Sequence, residues 1–160
     1  MQQNFIDFAL SLYAQPAVQA ECLQLQDTQR LSIPLLLCCA WLDVRAMGAG
    51  LTSITALEHT VLAWEREVVW PLRQLRRQLK VEADSNAAIA ELRLQIKQAE
   101  LAAEMEVLRR LGGIAWEACT TQALSSVAAY YQIPVDCDSF SALRARMAEL
   151  QASTLTGQPN

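Results

Sequence analysis

Apolar residues recur along most of this chain at the three- and four-residue spacing of a helix face. Phe5, Phe8, Ala9 and Leu12 mark one face of a first helix, which Asn4 opens as an N-cap supported by Asp7 and which closes before Pro16. Pro16 then opens a second helix, with Val18, Cys22 and Leu25 inward, running to about Gln26. One stretch departs from the pattern. Residues 33–42, Ile-Pro-Leu-Leu-Leu-Cys-Cys-Ala-Trp-Leu, are apolar without a break between Arg30 and Asp43. A bilayer-spanning helix needs roughly twenty apolar residues, about twice this length, so the run reads as a buried core element and not as a membrane anchor. Ser32 as N-cap and Pro34 in the first turn favour helix over strand, because a first-turn proline loses no hydrogen bond there. The pattern predicts a helix over residues 32–46, enclosed by others and terminated by Gly48 and Gly50.

Beyond the glycines, Thr52 or Ser53 is expected to cap a long periodic segment through Ile54, Leu57, Val61, Leu62, Val68, Val69, Leu72, Leu75 and Leu79. Pro71 interrupts it and predicts a kink or two abutting helices at Trp70. Asp84 or Ser85 is expected to cap a second long helix, ended by Gly112 and Gly113. The short connector between the two makes an antiparallel hairpin over residues 52–111. Residues 116–131 read as a further helix ending near Pro134, and Asp138 as the cap of a last short one with Phe140, Leu143, Met147 and Leu150. The fold class that results is all-α: a single helical bundle over residues 1–152, of about six to eight helices around the buried one, with residues 153–160 as a frayed tail.

Composition agrees with that class. Hydrophobic residues make up 52% of the 160, and the 5 Gly and 5 Pro are too few for an all-β protein rich in tight turns or for a disordered chain. A net charge of -4 gives no general attraction for nucleic acid or anionic membrane, so binding of either kind would need a local patch. The N-terminal residues carry Asp7, Pro16 and Glu21 and lack the basic-then-apolar layout of a secretion signal, so a cytosolic setting is expected. Five cysteines without Cys-x-x-Cys spacing fit free thiols in that setting.

Three segments together, Phe5-x-x-Phe8-x-Leu10-x-Leu12-Tyr13, the run 35–42, and Trp64-x-x-x-Val68-Val69-x-Pro71-Leu72-Arg73-x-Leu75-Arg76, resemble a family of small bacterial proteins of unknown function. The resemblance spans residues 5–111. It implies the fold boundaries and a cytosolic bacterial setting, and it carries over no activity, cofactor or catalytic residue.

Candidate chemistry is sparse. Arg73, Arg76, Arg77 and Lys80 fall at i, i+3, i+4 and i+7, which places four cations on one helix face able to bind phosphates or an acidic partner. The competing reading is a solvated face paired with acids of the neighbouring helix such as Glu91 or Glu100. No aromatic residues interleave with the cluster, which leaves single-strand stacking without support. Trp64 and Trp70 lie about 120° apart on the helical wheel, so one of them is free to reach the surface and join the arginines in a patch with hot-spot composition. His59, with Asp43 brought near through the fold and Arg45 beside it, is a possible polar site; Glu58, its neighbour in sequence, faces elsewhere. One histidine among scattered carboxylates matches no metal-ligand spacing, and neither a metal nor a cofactor is expected. Cys38 and Cys39 read as core filling, and Cys137, between Asp136 and Asp138, as a poor nucleophile.

The expectation is a non-enzymatic cytosolic protein that binds an acidic protein partner through Trp70, Arg73, Arg76, Arg77 and Lys80. The apolar pattern of residues 89–108 continues round a second side of the helix, which makes a homo-oligomer a further expectation. Nucleic-acid or nucleotide binding through the same arginines is the alternative, and an enzyme using His59 with a carboxylate is the third class.

Overall fold

The apolar run is a helix, and it lies at the centre of the molecule. The computed structural model describes residues 2–57, 61–116, 119–134 and 140–156. Helices α1 (Gln2–Tyr13), α2 (Pro16–Gln29), α3 (Ile33–Val44) and α4 (Leu51–Leu57) come first. A π-helical turn, Glu65–Val69, leads into α5 (Trp70–Gln78) and α6 (Lys80–Ala83), and α7 (Ala87–Gly112), α8 (Ala123–Tyr130) and α9 (Ser141–Thr156) complete the chain. The fold is all-α. Taken as one rod broken only at Leu79, α5 and α6 bring the described helices to the expected number.

Ser32 and Pro34 start α3 as their chemistry requires: the Ser32 hydroxyl oxygen accepts the Leu35 N–H at 3.3 Å, and the proline sits in the first turn. Every residue of Ile33–Leu42 is buried, because α1, α2, α7, α8 and α9 all pack on the helix. Phe5 meets Trp41 edge to face at 5.6 Å. Burying one leucine contributes about 1.5–3 kcal/mol, and Leu35, Leu36 and Leu42 are each fully enclosed, so α3 supplies a large share of the driving force.

The helix is shorter at its end than its composition suggests. It stops at Val44, and the left-handed residue that turns the chain is Ala46 (φ 53°), not a glycine. Gly48 (φ 65°) serves a close approach instead, since a Cβ there would collide with the carbonyl oxygens of Cys119 and Thr121. Two backbone hydrogen bonds seal that contact, Ala49 N–H to the Thr121 carbonyl at 3.1 Å and Cys119 N–H to the Met47 carbonyl at 3.3 Å.

The expected hairpin is present, with the π turn, α5 and α6 antiparallel to α7. Its register shows in paired residues: Trp64 reaches Ala103, Arg73 reaches Glu100, and Arg93 reaches back to the Arg76 carbonyl. Pro71 does not break the rod into two. The preceding π turn absorbs the lost donor, with the Trp70 N–H on the Glu65 carbonyl, and Trp70 keeps helical angles. The cap of α7 is Asn86, whose side-chain oxygen takes the Ala88 and Ile89 N–H groups at 3.0 and 3.4 Å, rather than Asp84 or Ser85.

Three other boundaries differ from the sequence reading. Asn4 lies within α1, which begins at Gln2. Among the described residues, the helix expected over 116–131 is only α8: Gly112 and Gly113 end α7, and Trp116 and residues 119–122 are not helical. Helix α9 runs to Thr156, four residues into the expected tail. Both C-terminal helices take their N-terminal caps from distant carboxylates: Asp43 accepts the Ala123 and Leu124 N–H groups at 2.6 and 3.0 Å, and Glu21 those of Ala142 and Leu143 at 3.2 and 3.0 Å. Those bonds tie α8 and α9 to α3 and α2. No helix among the described residues is long and apolar enough to cross a membrane.

Candidate functional site

The four-cation stripe of α5 is divided by its neighbours into an inner and an outer half. Arg73 and Arg76 face α7, where Glu100 lies 4% exposed in the seam between the helices. Arg73 Nε donates to Glu100 at 2.8 Å and its Nη2 to Glu104, while Arg76 donates to both Glu100 oxygens. The Arg73 and Arg76 side chains retain 15% and 22% exposure. Burial works to raise the Glu100 carboxyl, but donation from Arg76 and Arg73 outweighs it and holds the group below the ordinary carboxylate range. In Glu104 the balance is reversed: burial raises it, against the pull of Arg73. The hydrogen bond to Glu100 raises the already high Arg76. Of the acids weighed as partners from the sequence, Glu100 is engaged and Glu91 is not; Glu91 accepts from Gln95 on its own helix.

The outer half looks onto α2. Arg77 is 57% exposed and meets Asp27 at 2.8 Å, and Lys80 is exposed at the start of α6. Trp70 is half-buried at the base of α5, and Arg30 lies 5.8 Å over its ring. Arg30 reaches that position because it closes α2 in the left-handed conformation (φ 53°), uncommon for a residue with a Cβ. Arg30, Trp70, Arg73, Gln74 and Arg77 line a depression of about 190 Å³ with Gln26 and Asp27. The sequence brought Trp70 and the arginines of α5 to this face, but it gave no sign of Arg30, because nothing local in α2 shows where its C-terminus docks. Trp64, the other tryptophan of the pair, packs inward, donating its indole N–H to the Ala103 carbonyl at 3.1 Å under the Arg110 guanidinium.

The second candidate site is not assembled among the described residues. His59 and Glu58 lie outside them, as does Cys137 with its flanking aspartates. Asp43 is committed to the α8 backbone, and Arg45 is stacked on Trp41 at 5.2 Å. Cys38 and Cys39 are buried as expected; burial pushes the Cys38 thiol up to about 12 and holds Cys39 well above its ordinary value.

The residue that sequence reasoning missed is Glu65. It is 4% exposed, one of its oxygens has no hydrogen-bond partner, and burial pushes the carboxyl up to about 7 despite the Ser32 hydroxyl and the charge of Arg73. Ser32 is anchored in turn by its N–H on the Tyr131 hydroxyl oxygen at 3.2 Å. Glu65 is followed in sequence by two charged residues, Arg66 and Glu67, and so reads as solvent-facing. Its register gives it away: Val61 and Val69 lie four residues to either side, both buried.

No curated protein and no solved structure matches the chain. A family model described as a protein of unknown function, DUF2390, matches residues 4–111, from the first turn of α1 to the end of α7. The match covers the buried helix, the hairpin and both halves of the arginine stripe, and the chain belongs to that family.

Proposed function

We propose that this is a non-enzymatic cytosolic bacterial protein that binds an acidic segment of a protein partner in the depression between α2 and α5. The observation that carries the reading is the outer half of the stripe, where the Trp70 ring, the Arg30 guanidinium stacked on it and the exposed Arg77 border one recess. A large aromatic anchor between arginines is the composition in which binding energy concentrates at protein interfaces. Arg30 and Arg77 outnumber Asp27 in that lining, which favours an acidic partner over a basic one. Arg73 and Arg76 play a supporting part, since Glu100 and Glu104 already neutralise them.

The test is affinity capture from lysate of the source organism, with and without nuclease treatment, comparing the natural chain with an Arg30→Glu, Arg77→Glu double variant and with Trp70→Ala. All three should remain folded by circular dichroism. A partner held by the natural chain, released as salt rises, and lost by both variants is the expected result. Retention by both variants overturns the reading, and capture that disappears only on nuclease treatment moves it to nucleic acid.

A further inference from the structure

Arg30 and Trp70 together border two recesses. One is the depression that Arg77 shares; the other lies between the C-termini of α2 and α8 and the π turn, and has a volume of about 190 Å³. Leu62 and Glu65 reach it from the π turn and the residues before it, and Tyr130 and Tyr131 from the end of α8. Drug-sized ligands occupy about 300–1,000 Å³, so a recess of this size suits a smaller molecule.

Two of its lining groups are of opposite charge, and each has bonding capacity left over. Glu65 is 4% exposed, and its Oε2 accepts from no donor among the described residues, although a carboxylate has acceptor sites on both oxygens. A buried polar atom without a partner is uncommon in a folded chain and calls for an explanation. Arg30 lies over the Trp70 ring, and its guanidinium donates to no acceptor among the described residues. The two groups line one recess and are not paired with each other. The left-handed end of α2 and the stack on Trp70 hold Arg30 in place, while Val61 and Val69, buried four residues to either side, hold Glu65.

The charges select the class of ligand. Arg66, exposed, adds a second guanidinium to the lining, so a simple cation would meet two like charges. A simple anion would leave the Glu65 carboxylate buried and unneutralised beside it. A zwitterion answers both: an ammonium brings three donors to Glu65, and a carboxylate matches the guanidinium fork. We infer that the recess between α2, the π turn and α8 binds a free α-amino acid with an aliphatic side chain, its ammonium on Glu65, its carboxylate on Arg30 and its side chain against Leu62 and Trp70. Burial pushes the Glu65 carboxyl up to about 7, and an ammonium on Oε2 opposes that push. The inference does not rest on the acidic-partner reading, because Glu65 and Leu62 lie outside that depression and Arg77 lies outside this recess.

The test is a titration of the full chain with L-leucine at pH 8, where Glu65 is ionised, followed by the indole N–H resonance of Trp70. Isocaproate and isoamylamine, which are leucine without its ammonium and without its carboxylate, serve as one-ended probes. Leucine should bind saturably and shift the Trp70 resonance, and each one-ended probe should bind at least tenfold more weakly. Glu65→Gln keeps the shape of the side chain and removes its charge. With the fold unchanged by circular dichroism, it should weaken leucine at least tenfold and abolish the preference for leucine over isocaproate. Arg77→Glu should leave leucine binding within about twofold of the natural chain. Any one of four results overturns the inference: no saturable leucine binding, a one-ended probe bound as tightly as leucine, no effect of Glu65→Gln, or leucine binding lost in Arg77→Glu. Partner capture lost in Arg77→Glu while leucine still binds would support this site as separate from the docking depression.

Discussion

Glu100 and Glu65 are the same residue type, each 4% exposed, and both lie within the field of Arg73, yet the seam between α5 and α7 and the foot of α3 treat them oppositely. Glu100 receives donors from two guanidiniums and stays charged; Glu65 has one hydroxyl within reach and moves up to about 7. Burial alone raises a carboxyl. The number and charge of the donors aimed at it decide whether that tendency wins. By the same reasoning the α5 stripe is two surfaces: the half that meets buried acids ties α5 to α7, and the other half meets solvent and the exposed Asp27.

The largest effect should come from removing Glu100. Glu100→Ala strands Arg76 and takes one of two acids from Arg73, both partly withdrawn from water, and breaking such a pair by removing one partner costs about 3–5 kcal/mol. For a chain of this length that is a fall of roughly 10 °C in Tm, read by thermal unfolding. A fall of only a degree or two would mean that water reaches the seam and that the two carboxyls differ less than their surroundings indicate.

Glu65 should respond with the other sign. Its folded pKa of about 7 stands above the ordinary 4.5, so the native state keeps a proton that the unfolded chain releases. Native stability is therefore unaffected by this group below pH 4.5 and falls as pH rises from there to about 7, by roughly 3 kcal/mol in all. Glu65→Gln removes the ionisation. Urea unfolding should find the variant close to the natural chain at pH 5 and more stable by up to roughly 3 kcal/mol at pH 8. An equal difference at both pH values would show that Glu65 does not titrate in that window.

The two glutamates also mark the limit of what the chain discloses about itself. Helix α3 was legible because its information is local: Ser32 caps, Pro34 fits only a first turn, and ten apolar residues in a row need cover on every side. The hairpin was legible for the same reason, from apolar spacing and a polar connector. Trp116 and residues 119–122 were misread as the start of a helix over 116–131 because apolar residues there continue a helical spacing, while the α8 start depends on Asp43, eighty residues away. The α5 stripe showed four aligned cations but not which of them faced α7, since the deciding acids lie on the other helix. Glu65 needed its neighbours' burial before its own could be inferred. Arg30, at the far end of α2, had no local mark at all.

The smallest stability effect should come from the outer half of the stripe. Arg77 and Asp27 are 57% and 55% exposed, and an ion pair that open to water is typically worth about 0–1 kcal/mol. Arg77→Ala should change unfolding free energy by less than about 1 kcal/mol, and Asp27→Ala should add to it within roughly 0.5 kcal/mol. Little of the fold rests on Arg77, whereas removing Glu100 loosens the hairpin, so partner capture lost in Arg77→Ala with Tm unchanged separates docking from packing along one helix. A drop of 2 kcal/mol or more in Arg77→Ala would put the outer half inside the architecture with the inner one, and the division of the stripe would fail.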